Sequence, residues 1–157
     1  MNVELINPFI TASIEVINQT TGLQIQVGKV YRKCTPYPSD NVVVLIGLTG
    51  NIYGNVTINL SNELACRIAS AMMGGMPVPS LDEMAKSAIA ELSNMIIGNT
   101  GVLLSKKSIN VNVTPPTILT GDKIELSTHN AKIICIPLLF ADEQVIELNI
   151  SYEEKAA

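Results

Sequence analysis

Glu91 and Asn94 are the side chains whose types and spacing best suit joint chemistry. They lie three residues apart in the segment Ser87-Ala88-Ile89-Ala90-Glu91-Leu92-Ser93-Asn94. Residues three or four apart share one face of a helix, so Ser87, Glu91 and Asn94 project together. Gly98 and Gly101 follow on the same side. A carboxylate can pair with a cation, and an amide offers one acceptor and two donors; both are positioning groups. Each glycine inside a helix costs about 1 kcal/mol relative to alanine, which points to something that must approach the backbone closely there. The plainer alternative is a solvated helix face, because a motif as short as Glu-x-x-Asn also arises by accident.

The other candidates are weaker. His129, the one histidine, lies in a polar stretch and reads as a surface turn residue. Gly74-Gly75 lacks the Lys-Ser/Thr continuation of a phosphate loop and follows a helical pattern, so it reads as a helix stop. Met72, Met73 and Met76 read as fillers of core gaps. Cys34, Cys66 and Cys135 are odd in number and far apart, which suits reduced, mostly buried thiols and not a disulfide framework or a zinc site. A formal charge of -4, with only 10 Lys and Arg among 157 residues, leaves no basic stripe for nucleic acid. The N-terminus carries an acid and no basic segment. The longest apolar run, near Ile133 to Ala141, is too short to span a bilayer. A soluble, cytoplasmic protein is expected, with no membrane insertion.

The elements that must position these residues follow from switches in hydrophobic period. At this length, with 47% hydrophobic residues, one domain over residues 1–157 can bury an ordinary core. Ile6, Phe9, Ile10, Ser13, Ile14 and Ile17 share a face of a first helix that should end near Asn18, with Pro8 in its first turn. Three antiparallel strands are expected next, at Leu23 to Arg32, Val42 to Leu48 and Ile52 to Leu60, the last two joined through Thr49-Gly50-Asn51. Ser61 should cap a second helix that stops at Gly74-Gly75. Ser80 and Glu83 fit a capping box for a third, the longest, which runs to about Lys106. Its core arc should hold Ala85, Ala88, Leu92, Met95, Ile96 and Leu103, with Ile97 at the margin of the outward face. Asn110 to Leu119 is broken by Pro115-Pro116. Ala131 to Phe140 and Val145 to Ser151 should form a hairpin around Asp142-Glu143. The fold class expected is α+β, an antiparallel sheet packed by three helices.

The wording around Glu91 and Asn94 carries a further signal. Ala71-Met72-Met73-Gly74-Gly75-Met76, then Ser87 to Asn99, then Thr114-Pro115-Pro116-Thr117, resembles the CheX branch of the CheC/CheX/FliY chemotaxis phosphatases, over nearly the whole chain. That family carries Ser or Asp, then Glu, then Asn, and Ser87, Glu91 and Asn94 occupy those positions in order. The resemblance implies hydrolysis of the aspartyl-phosphate of a CheY-like response regulator, with Asn94 orienting the attacking water and Glu91 pairing with a partner lysine. It implies no cofactor of the chain's own, with Mg2+ supplied by the receiver domain. It also implies a homodimer through sheet edges, for which the apolar C-terminal strands would serve. Ser87, Ile97, Gly98 and Gly101 are expected to help dock the partner. Thr11, Glu15 and Asn18 repeat the pattern in the first helix and hint at an internal duplication and a second site; an ordinary helix end is the alternative. A receiver-binding or adaptor module without catalysis, and an unrelated dimerisation domain, remain as competing readings.

Overall fold

The structure, a computed structural model, describes residues 3–129 and 132–154 of the 157. In chain order these form α1 (Val3–Thr21), the short strands β1 (Ile25–Val27), β2 (Tyr31–Lys33) and β3 (Tyr37–Pro38), and the hairpin β4 (Val42–Gly50) and β5 (Ile52–Leu60). Next come α2 (Asn62–Met72), α3 (Glu83–Ser105), β6 (Val111–Val113), β7 (Thr117–Thr120) and β8 (Glu125–Leu126). A second long hairpin closes the chain, β9 (Lys132–Phe140) and β10 (Val145–Glu154); Ala131, expected in its first strand, lies outside the described residues. The α+β class and the three helices are as the sequence pattern predicts.

The main sheet runs β1-β9-β10-β5-β4-β6, with β2 also paired to β9 and β7 to β4, all antiparallel. β3 and β8 form a separate two-stranded ribbon. The C-terminal hairpin is therefore central, which corrects the expectation that it forms the associating edge. Its burial explains the place: Ile134, Ile136 and Leu138 join the helix-facing core, while Ile133 and Cys135 on the other face of β9 are buried as well. A strand apolar on both faces belongs inside a sheet. The segment expected as one strand from Leu23 to Arg32 is two, and it joins β9 instead of its sequence neighbours. Val27 pairs with Leu138 but Tyr31 with Cys135, so one extra residue bulges opposite Pro137, which has no N–H for the ladder.

The helices pack on one face of this sheet. Phe9, Val16 and Ile17 of α1, Leu64 and Ile68 of α2, and Ile89, Leu92 and Ile96 of α3 meet Val44, Ile46, Ile58, Ile136, Leu148 and Ile150 in one core. Each such aliphatic side chain contributes about 1.5–3 kcal/mol by leaving water. Ser61 caps α2 through its side chain at 3.1 Å from Leu64 N, and Gly74 and Gly75 at φ +71° and +91° end it, as predicted. For α3 the cap is Asp82, which accepts from Ala85 N at 2.9 Å; the expected Ser80 box does not form. Helix α1 begins at Val3, so Pro8 sits in its second turn and not its first. The missing Pro8 N–H would have bonded the Glu4 carbonyl. That oxygen instead accepts from Lys107 Nζ at 3.2 Å, which ties the start of α1 to the chain just beyond α3.

Candidate functional site

Helix α3 is held along one side by Ala85, Ile89, Leu92, Ser93, Ile96, Ile97, Thr100 and Leu104, all buried. This arc is rotated from the predicted one, since Ala88, Met95 and Leu103 are only half-buried. The cause is α1, which covers a flank that a single helix cannot reveal: Phe9 converges with Ile97, Thr100 and Leu104. The two hydroxyls on that flank are satisfied within the helix, Ser93 Oγ donating to Ile89 O and Thr100 Oγ1 to Ile96 O, each at 2.8 Å. Ile97, expected to add docking area, is 1% exposed and belongs to the core.

Glu91, Asn94 and Ser87 are exposed, and Gly98 and Gly101 are half-buried beside them. At about 100° per residue Glu91 and Asn94 project about 60° apart and one turn from each other. Asn94 is bracketed by buried Leu92, Ser93, Ile96 and Ile97, so its backbone is fixed by the core while its amide faces outward. A Cβ on Gly98 would meet nothing within 4 Å, and one on Gly101 only Val111 O at 4.0 Å. Internal crowding therefore does not account for either glycine. Met84 and Val102, at 63% and 56% exposure, stand on the same side of the helix. Sequence reasoning passed over both, although helical spacing places them in the arc of Glu91.

This arrangement is a convex stripe, not a cleft. Clefts of about 630 and about 560 Å³ lie elsewhere, one lined by Cys66, Arg67 and Leu81, the other by Gln24, Leu139 and Phe140. A convex face cannot enclose a small molecule, so a reaction there needs a partner that brings its own pocket. Among the described residues no three His, Cys, Asp or Glu come together to hold a metal ion. No helix there is long and apolar enough to cross a membrane.

The remaining candidates separate. His129 is exposed beside Ser127 and Thr128. Met72 packs against the core, whereas Met76 is 60% exposed and is no core filler. Cys135 is buried and Cys66 half-buried, but Cys34 is exposed, against expectation. Glu15 and Asn18 are both exposed on α1, and Asn18 is not at the helix end, because α1 continues to Thr21. On the sheet face away from the helices, Glu147 pairs with Lys33 at 2.8 Å and accepts from Tyr31 Oη at 3.0 Å and Cys135 Sγ at 3.4 Å. Burial acts to raise the Glu147 carboxyl, but Lys33 and the donated hydrogen bonds hold it below the ordinary glutamate range. Burial pushes the Cys135 thiol up to about 11, so it stays protonated at neutral pH and is no nucleophile. The cluster braces β2, β9 and β10.

Residues 42–139 match the chemotaxis phosphatase CheX family. The chain belongs to that family. A CheY-P phosphatase CheX from Thermotoga maritima is 32% identical over 151 residues, 96% of this chain and 97% of the relative. A CheC-like superfamily protein from Shewanella sp. PV-4 superposes with a TM-score of 0.88 at 26% identity, covering 98% of this chain and 99% of that one. The matched chain of a CheX-CheY-BeF3-Mg2+ complex from Borrelia burgdorferi gives 0.82 at 26% identity, over 98% and 100%. As a member of the CheX family the chain is a phosphatase, and hence a hydrolase.

Proposed function

We propose that this phosphatase hydrolyses the aspartyl-phosphate of a CheY-like response regulator, with Glu91 and Asn94 as its working residues on one domain spanning residues 1–157. The observation that carries the reading is their joint exposure on a helix whose opposite side is fixed in the core, beside glycines that nothing internal requires. The Borrelia relative is seen with CheY, Mg2+ and BeF3, and BeF3 stands in for a phosphoryl group.

In the reaction a water attacks phosphorus, the bond between phosphorus and the aspartyl oxygen breaks, and carboxylate and inorganic phosphate leave. Such transfer is accelerated chiefly by position and charge. Asn94 Oδ1 accepts a hydrogen bond from the water and holds it in line with the leaving carboxylate, while the Nδ2 hydrogens point to a phosphoryl oxygen. No titrating group is needed for that step. Glu91, one turn earlier, pairs with a lysine that lines the receiver's phosphorylation site and sets the register of docking. Ser87, Gly98 and Gly101 keep the stripe low. Glu83 and Glu91 are the carboxylates of this face, but they stand about 12 Å apart along the axis, and Glu83 pairs with Lys86, so they do not share an ion; Mg2+ belongs to the receiver, where it would neutralise phosphoryl charge. Two copies of the chain would associate through the exposed strands β1 and β2 or β6 and β7, since β9 and β10 are interior.

Phosphate release from a receiver charged with a small phosphodonor in magnesium buffer tests this. Wild type should accelerate release, and Asn94→Ala should lower kcat about a hundredfold. Glu91→Ala should act mainly on KM. An accelerating protein that Asn94→Ala leaves unimpaired would remove Asn94 from the mechanism. Binding of the phosphorylated receiver without faster release would favour the adaptor reading.

A further inference from the structure

Met84 and Val102 are two large apolar side chains of α3 that take no part in the core. They are 63% and 56% exposed, while Leu92, Ile96, Ile97 and Leu104 are buried and Met95 packs against the core. An exposed β-branched residue within a helix lowers helix propensity slightly, so Val102 adds nothing to the stability of its own helix. Helical geometry sets where they stand. At about 100° per residue the two lie at one angle, about 20° from Glu91 and about 80° from Asn94. Along the axis Met84 is about 15 Å to one side of Asn94 and Val102 about 12 Å to the other. Between them the stripe is low, with a hydroxyl at Ser87 and bare backbone at Gly98 that has open space where a Cβ would be.

We infer that Met84 and Val102 are the apolar anchors that grip the phosphorylated receiver domain at either end of the Glu91–Asn94 stripe. The inference rests on the phosphatase reading of Glu91 and Asn94. Their separation of about 27 Å approaches the width of a small domain, so a receiver whose phosphoryl pocket lies over Asn94 reaches both. The occupant is favoured by continuity, because both anchors share the face of the reacting pair. The division of labour follows from chemistry: an exposed hydrocarbon gains affinity by leaving water, and at 12 and 15 Å from Asn94 neither touches the reacting atoms. They are specificity residues and not catalytic ones.

The test uses the full chain with Met84→Gln and Val102→Thr, both close in volume to the native side chains and compatible with a helix. Binding to a receiver loaded with beryllium fluoride and Mg2+ is titrated, and steady-state phosphate release is measured in parallel. Each variant should weaken binding and raise KM about tenfold, about 1.4 kcal/mol, with kcat at saturation and the thermal midpoint unchanged. Unchanged binding in both variants, while Asn94→Ala still lowers kcat about a hundredfold, overturns the anchors and leaves the phosphatase reading standing. Weakened binding in a protein whose wild type does not accelerate release keeps the anchors and sinks the catalytic reading. A change in self-association alone, with receiver binding intact, assigns the two side chains to a contact between copies and also overturns the inference.

Discussion

Gly98 separates stability from function more cleanly than any other position in this chain. It lies inside α3 with an ordinary helical backbone, and a Cβ there would meet no atom within 4 Å. Gly98→Ala should therefore stabilise the free protein by about 1 kcal/mol through helix propensity, a rise of about 2–4 °C in Tm for a domain of this size. Gly98→Leu should also be tolerated, since its Cβ meets no neighbour and leucine is a good helix former. The cost falls on the complex. A leucine one turn from Asn94 forces the docked receiver off the stripe, and overpacking of a close contact costs about 1–3 kcal/mol, or about 5- to 150-fold in kcat/KM. The assay is steady-state phosphate release from a phosphorylated receiver, with thermal melting of the same preparations. A Gly98→Leu protein that melts higher and hydrolyses at the wild-type kcat/KM would refute the argument that this glycine leaves room for a partner. One that melts lower would refute the open-space argument itself.

Ile97, 1% exposed, should behave as a core residue: Ile97→Ala is expected to lose about 2–5 kcal/mol in urea unfolding, and a change in KM without a loss of stability would return it to the surface. Glu147, held below the ordinary glutamate range, contributes stability that is present at neutral pH and lost as pH falls through its folded value. Glu147→Gln should thus cost about 2 kcal/mol near neutral pH, where Lys33 would keep the Tyr37 ring but lose its counter-charge, and progressively less as pH is lowered through the folded value. An equal difference at both ends of that range would show that the carboxylate charge is not what matters.

The local chemistry of the chain settled most of what is local in the structure. Ser61 with Gly74-Gly75 bounded α2, runs flanking turn residues marked β4, β5, β9 and β10, and the 3.6-residue period put Ser87, Glu91 and Asn94 on one face. Capping bonds, turns and helical spacing reach only a few residues, so the sequence contains most of them, although it pointed to Ser80 where Asp82 caps α3 and ended α1 three residues early. Tertiary structure decided what depends on a neighbour remote in the chain. Burial on both faces drew the C-terminal hairpin into the middle of the sheet and sent β1 and β2 to its edge. Lys107 supplied the bond that lets α1 run through Pro8. The packing of α1 against α3 turned the buried arc onto Ile97 and left Met84 and Val102 in water. A helix shows from its own sequence which residues share a face, but which flank is covered depends on the element that packs there.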